Sequence, residues 1–303
     1  MNRRHSAFTR HAPRAQGFSL VEMAMVLLVV GVLAALFLPA TNTMMDNNRR
    51  KETRTKLESL ESAITRFVMT TGRLPCPADG SLAPGNANQG LELAAGGACT
   101  VAALTNGVVP WRTLAIAQET VMDAWGSLIS YRVWGGAGVA NPLTVANGMD
   151  MSGCDPAQVG PTSAGVCNAT TSPLNWLTVD ASVNARGFRV CNASPCAVGS
   201  VAELASKANG NGVAYVLISH GANRFGAYTP NGGVPLATAN GSGPGALENN
   251  VNRNGLAVRT ASPADFYVDA DFNEDPANYY DDIVLRPTVI KVAQDAGLGP
   301  RAP

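Results

Sequence analysis

The sequence predicts an α+β protein in which a long N-terminal transmembrane helix continues as a spine and packs on a small antiparallel sheet domain with long, disulfide-stapled loops. Three observations predict it. An apolar run, GFSLVEMAMVLLVVGVLAALFLP over residues 17–39, leads into a polar stretch that keeps helical periodicity up to Gly72. Beyond Gly72 the composition turns to Gly, Pro and Asn punctuated by short β-like runs. All six cysteines lie in that second part. The segments in order are a basic leader (1–17), an apolar helix (18–39), its amphipathic continuation (40–71) and a globular part (72–303).

Residues 1–17 hold Arg3, Arg4, Arg10 and Arg14 and no acid. The whole chain has a formal net charge of zero, so the part after the leader is mildly acidic. A nucleic-acid binder would carry a basic face, and no nucleic-acid partner is indicated. Phe18 to Leu38 approaches the roughly 20 residues a helical span needs. The arginines before it place the C-terminal bulk on the outer side of the membrane. A secretory signal would show a shorter apolar core and a small-residue cleavage site. Ala34, Ala35 and Ala40 offer only weak sites, and Glu22 sits awkwardly in such a core. A plain anchor leaves Glu22 unexplained, since a charge at the centre of a membrane helix costs about 3 kcal/mol.

The stretch Gly17-Phe18-Ser19-Leu20-Val21-Glu22, after a basic leader and before an unbroken apolar run, resembles the processing site of type IV pilins and type II secretion pseudopilins. Pro39 matches too, near the end of the apolar stretch. The resemblance implies that prepilin peptidase cuts between Gly17 and Phe18 and methylates Phe18, making Glu22 the fifth residue of the mature chain. It also implies assembly with other pilin or pseudopilin subunits through the segment carrying Phe18, Glu22 and Pro39. A lone ammonium at Phe18 in apolar surroundings is as costly as a lone carboxylate. If Glu22 of one subunit meets the Phe18 amine of another, each gains a partner and one axial offset is favoured.

Leu57, Leu60, Ile64, Phe67 and Val68 recur at three- and four-residue spacing and form one apolar stripe. Pro39 predicts a kink, with a local melt over Thr41–Thr43. Arg49, Arg50 and Lys51 read as a solvated face, with lipid headgroups or acidic neighbours as the alternative. Gly72 ends the pattern and Pro75 prevents its resumption.

In the globular part, strands are predicted within 127–134, 186–191, 213–220 and 281–287, and short helices within 200–208 and 287–297. Residues 221–255 read as an exposed, mobile loop. The cysteines fall into three local couples, Cys76 with Cys99, Cys154 with Cys167 and Cys191 with Cys196, which suits an oxidising compartment. Zinc competes as a reading, but paired C-x-x-C knuckles are missing. Disulfides are expected, although spacing alone does not set their connectivity. GRLPCPADG (72–80), NQGLEL (88–93) and DAWGSLISY (123–131) resemble segments of the major pseudopilin. Asn88 stands there for an acid and Leu128 for a proline. The remaining half is larger than in a typical major pseudopilin, which points to a minor or specialised subunit.

No enzyme is expected. Ser219 and His220 are adjacent in a predicted strand and face opposite ways, so they do not form a nucleophile–base pair. Leu217 stands where a nucleophile elbow needs glycine. No cofactor is expected, with one exception. Asp269, Asp271, Asn273 and Asp275 alternate as in the first half of an EF-hand loop, but Glu274 and Tyr280 occupy positions that need glycine and a bidentate acid. A looser calcium site survives through the resemblance, because major pseudopilins bind calcium in a C-terminal loop. A solvated acidic turn is the other reading.

The expectation is therefore a prepilin-like structural subunit that crosses the bacterial inner membrane once, in contact with its lipid. Its C-terminal domain would be periplasmic, and the processed chain would pass into a pilus or pseudopilus. The rival is a non-polymerising, membrane-anchored periplasmic binding protein.

Overall fold

A computed structural model describes residues 19–95, 98–135, 142–152, 186–193, 196, 199–205, 212–237, 251–255 and 266–299, and for 34–43 the backbone alone. The chain divides into two compact units, Met1–Asn48 and Arg49–Pro303.

Helix α1 (Leu20–Thr71) runs across both units. It begins with a reciprocal cap: the Ser19 amide donates to Glu22 Oε2 at 2.9 Å, and the Glu22 amide donates to Ser19 Oγ at 3.2 Å. This S-x-x-E box satisfies two amide donors that lack intrahelical partners. At the other end Gly72, at φ +69°, donates its amide to Val68 O, the left-handed stop that glycine adopts without steric cost. The backbone is helical through Pro39 and Thr41–Thr43, so the expected local melt is absent.

Among the described residues, no helix is long and apolar enough to cross a membrane. This corrects the transmembrane part of the predicted spine. It also corrects the single-pass inner-membrane placement with a periplasmic C-terminal domain. The apolar side chains described in α1 run from Leu20 to Leu33, about 21 Å at 1.5 Å per residue. A bilayer core requires about 30 Å.

In the second unit the main sheet has five antiparallel strands in the order β1 (Ala78–Asp79), β4 (Gly107–Val108), β5 (Ser130–Val133), β8 (Tyr215–Ser219), β10 (Ile283–Leu285). Between β1 and β4 in sequence lie a small hairpin, β2 (Ala94–Ala95) with β3 (Ala98–Cys99), and helix α2 (Val101–Thr105). The predicted stripe of α1 enters the core with this sheet: Leu57, Leu60, Ile64 and Val68 are buried together with Tyr131, Tyr215 and Leu217, while Phe67 is half-buried. Helix α3 (Val289–Asp295) is capped by Thr288, and its Lys291 reaches Glu61 of α1 at 2.7 Å.

A second sheet was not expected. Its order is β7 (Glu203–Ala205), β6 (Arg189–Cys191), β9 (Phe266–Val268), and β6 runs parallel to β9. Edge-to-face contacts Trp134–Phe188 and Phe188–Tyr267, with centroids 5.4 and 5.2 Å apart, join the two sheets into one core. Of the helix predicted within 200–208, the described residues form a turn at 201–202 and strand β7 at Glu203–Ala205. Glu203 forms a buried ion pair with Arg189 at 3.2 Å, and that cross-strand pairing outweighs the local helix preference of Ala-Glu-Leu-Ala.

The 221–255 stretch also departs from expectation. Among its described residues Tyr228, Asn252 and Asn254 are buried, and Tyr228 O accepts the Leu128 amide at 2.8 Å. Gly221 has φ +55°, and a Cβ there would stand 2.4 Å from Asp281 O. This approach requires glycine.

Candidate functional site

Of the predicted processing and assembly residues, Gly17 and Phe18 lie outside the described residues, and Pro39 is described only as helical backbone. Glu22 sits in the first turn of α1, where its carboxylate caps the helix. The side chains around it, over 20–33, are exposed although most are large and apolar: Leu20 is 89% exposed, Leu27 66% and Leu28 68%. A contiguous apolar surface of this kind marks an interaction site.

Two of the three cysteine couples are bonded, Cys76 with Cys99 and Cys191 with Cys196. Cys154 and Cys167 lie outside the described residues. The Cys76–Cys99 bond ties the segment after α1 to the β2–β3 hairpin. Beside it Arg73 grips Glu92 through two hydrogen bonds of 2.7 and 2.8 Å, and Glu92 also accepts the Cys76 amide. Burial works to raise the Glu92 pKa, but the Arg73 hydrogen bond and the Cys76 amide outweigh it and hold the carboxyl below its usual range. The segments containing GRLPC and NQGLEL are thus a joint of the fold.

The structure does not gather Asp269, Asp271, Asn273 and Asp275 into a ligand set. Asp269 is paired with Arg286 at 2.7 Å. Asn273 Oδ1 accepts the Asp275 amide, and Asp275 accepts the Ala277 amide and the Asn278 side chain, so these side chains hold a turn closed by the Asn273–Tyr280 bridge. Among the described residues no group of three or more His, Cys, Asp or Glu could hold a metal ion. Arg50, which the sequence placed on a solvated face, is buried. Its guanidinium lies 3.3 Å from the centre of the Phe272 ring and donates to Asp281 O at 3.3 Å. Arg50, Arg54 and Glu58 form one wall of a cleft of about 290 Å³, and Asp269–Phe272 with Asp282–Leu285 form the other.

The densest chemistry lies deeper, in the five-stranded sheet. Ser219 and His220 face opposite ways, as strand alternation requires. Ser219 Oγ donates to Asp123 Oδ2 at 2.7 Å, while His220 Nε2 lies 2.8 Å from Ser130 Oγ of the neighbouring strand. Ser130 Oγ also accepts from Asn254 Nδ2 at 2.7 Å, and Asn254 Oδ1 accepts from Arg132 Nη2 at 2.5 Å. These contacts order the protons. Arg132 can only donate, so the Asn254 oxygen faces it and the amide nitrogen faces Ser130. In the tautomer that carries the imidazole proton on Nδ1, the Ser130 hydroxyl donates to His220 Nε2. Nδ1 faces Asp282 Oδ1, 3.8 Å away.

Ser130 and His220 are wholly buried. Burial, with Arg132 adding repulsion, pushes the His220 pKa down to about 3. Burial and then the neighbouring Asp281 push the Asp282 carboxyl well above its ordinary range, against the Asn252 hydrogen bond and the charge of Arg50. Asn252 receives the Val268 amide and donates to Val268 O and Asp282 Oδ2, joining β9 to this node.

Sequence reasoning missed Ser130, Arg132, Asn252, Asn254 and Asp282. One signal was present: Ser130 and Arg132 alternate with Ile129, Tyr131 and Val133, so one face of β5 had to meet polar groups. Nothing local to the chain said that the asparagines of 251–255 would supply them.

Comparison with family models, with curated proteins and with solved structures finds no match.

Proposed function

We propose that this chain is a prepilin-like structural subunit, cleaved after Gly17 and N-methylated on Phe18 by prepilin peptidase. The subunit is built through its N-terminal helix into a type IV pilus or a type II secretion pseudopilus, and its size suits a minor component. The observation that carries this reading is the exposed apolar stretch of α1 from Leu20 to Leu33, with a single acid, Glu22, in its first turn. The same stretch on a second subunit is the complementary cover for it. The helix begins at Leu20, two residues after Phe18, and the ammonium that cleavage would create on Phe18 is the charge that a neighbour's Glu22 would neutralise.

The test is the mature N-terminus. Mass spectrometry of protein recovered from sheared filament fractions should find N-methylated Phe18, and Gly17→Leu should leave the precursor uncut and absent from those fractions. Normal trimming of Gly17→Leu, or an unmethylated or different mature end, would overturn the assignment.

A further inference from the structure

We propose that Ser130 and Asn254 become joined by an intramolecular ester, formed once per molecule by the protein's own side chains with loss of ammonia. The proposal stands apart from the filament reading and needs nothing from it. Its ground is the arrangement around Ser130 Oγ. A base nitrogen, His220 Nε2, lies at 2.8 Å, and a carboxamide reaches it through Asn254 Nδ2 at 2.7 Å. The carbonyl end of that carboxamide is held by a guanidinium, Arg132 Nη2 at 2.5 Å. These are a nucleophile, a base and a polarised acyl group in the order that acyl transfer requires.

The participants are buried, so no external substrate reaches Ser130 and the acyl group available to it is its neighbour's. Arg132 is fixed by the carbonyls of Leu104 and Thr105, which accept from Nη1 at 2.8 and 3.0 Å. It therefore meets a developing oxyanion without having to reorganise.

The step balances. The Ser130 hydroxyl proton passes to His220 Nε2 as Oγ bonds to the Asn254 side-chain carbonyl carbon, and the negative charge on Oδ1 falls against Arg132. The tetrahedral centre then collapses, the carbon–Nδ2 bond breaks, and His220 returns the proton to the departing nitrogen. The products are an ester and ammonia, with His220 and Arg132 unchanged. No oxidant, metal or second substrate enters. Burial keeps His220 neutral, the form in which Nε2 accepts a proton. It makes the imidazole a weak base, but a reaction that occurs once per molecule proceeds usefully at a rate far below enzymatic turnover. Exclusion of water protects the product ester, and escape of ammonia to bulk solvent draws the reaction forward. The bond would lock the centre of the five-stranded sheet to a segment 124 residues away in sequence.

The experiment is the mass of the purified full-length chain after denaturation, followed by peptide mapping. The expected result is a shortfall of about 17 Da, the mass of ammonia, with the peptides containing Ser130 and Asn254 recovered as one covalent species that hydroxylamine separates. Ser130→Ala and His220→Ala should each restore the full mass. A full mass in the wild-type chain, with the two peptides recovered separately, would reduce the contact to a hydrogen bond and overturn the proposal. A shortfall confined to the Asn254 peptide alone would also overturn it, because Asn254 followed by Gly255 can lose ammonia by closing on the next amide. The structure disfavours that route, since the Gly255 amide is engaged with Thr105 O at 3.1 Å.

Discussion

Helix α1 carries two apolar stretches with opposite fates. From Leu20 to Leu33 its large side chains are exposed; from Leu57 to Val68 the stripe is buried. The difference lies in pattern more than in hydrophobicity. The first stretch is apolar on every face, and one chain offers no cover for a helix that is apolar all round. The second has a single apolar stripe, with Glu, Ser and Arg on the other faces, and a sheet of the same unit covers that stripe. Under the proposed assembly a stretch of the first kind serves another subunit, whereas a stretch of the second kind serves the fold of its own chain.

The sharpest way to break this comparison is a pair of matched truncations. Leu60→Ala should cost about 4 kcal/mol in denaturant unfolding, because it leaves a cavity in a closed core. Leu27→Ala should change stability by less than about 0.5 kcal/mol yet lower recovery in filament fractions. Equal costs would remove the distinction between the two halves.

Next in size is the acid response of the buried node, which the exposed stretch lacks. The His220 pKa is near 3 in the folded protein, against 6.5 as its ordinary value. The folded state therefore binds fewer protons in that window, so the contribution of His220 is complete above about pH 6.5 and is lost as pH falls towards 3. The carboxyl of Asp282, raised by burial, acts in the opposite sense and loses its contribution as pH rises. The stability advantage of wild type over His220→Gln, read from unfolding midpoints, should shrink by on the order of 3 kcal/mol between pH 6.5 and 4, a difference that cancels the opposing carboxyls common to both chains. An unchanged slope in the variant would place the acid sensitivity elsewhere.

Replacing Cys76 and Cys99 together by serine should cost about 2–3 kcal/mol through freedom restored to the unfolded chain, read as a lowered unfolding midpoint. Arg73→Ala should cost about 1–2 kcal/mol, because it strips a half-buried carboxylate of its two-pronged partner. The folded pKa of Glu92 lies below its unfolded one, so this contribution is present above the unfolded value and is lost as pH falls through the folded one. The wild-type advantage over Arg73→Ala should therefore shrink in acid, and a constant difference would argue against the pairing.

The smallest effect on stability, and the most informative about assembly, concerns Glu22. Glu22→Ala removes half of the capping box and should loosen the first turn, visible as faster amide exchange near Ser19. Glu22→Gln keeps an acceptor for the Ser19 amide and should preserve the turn. Both variants lack the charge, so both should enter filaments poorly at matched expression. Normal incorporation of Glu22→Gln would leave Glu22 as a helix cap and nothing more.

Wherever the deciding information was local, it could be read from the residues alone. The periodicity of 57–68, the stop at Gly72 and the β-rich runs around 130, 190, 217 and 284 each depend on side chains a few turns or one short loop apart. The 200–208 segment failed because its local preference is weak and Arg189 supplied a stronger partner from another strand. The membrane-spanning spine failed for a different reason. Hydropathy over 18–39 records only how apolar the residues are, and the described apolar helix is shorter than a span requires.

The tertiary structure alone decided the node around Ser130. Its members come from β5, the end of β8, the 251–255 segment and the start of β10, and each is ordinary in its own sequence context. A buried polar group costs free energy until a partner arrives, and here each partner is brought by a fold that the apolar stripe and strands had already specified. The sequence by itself determined which stripe of α1 would be buried and which of its stretches is apolar on every face. Which polar groups would meet inside was settled by sheet register, because hydrogen bonds act over about 3 Å while Ser130 and Asn254 lie 124 positions apart.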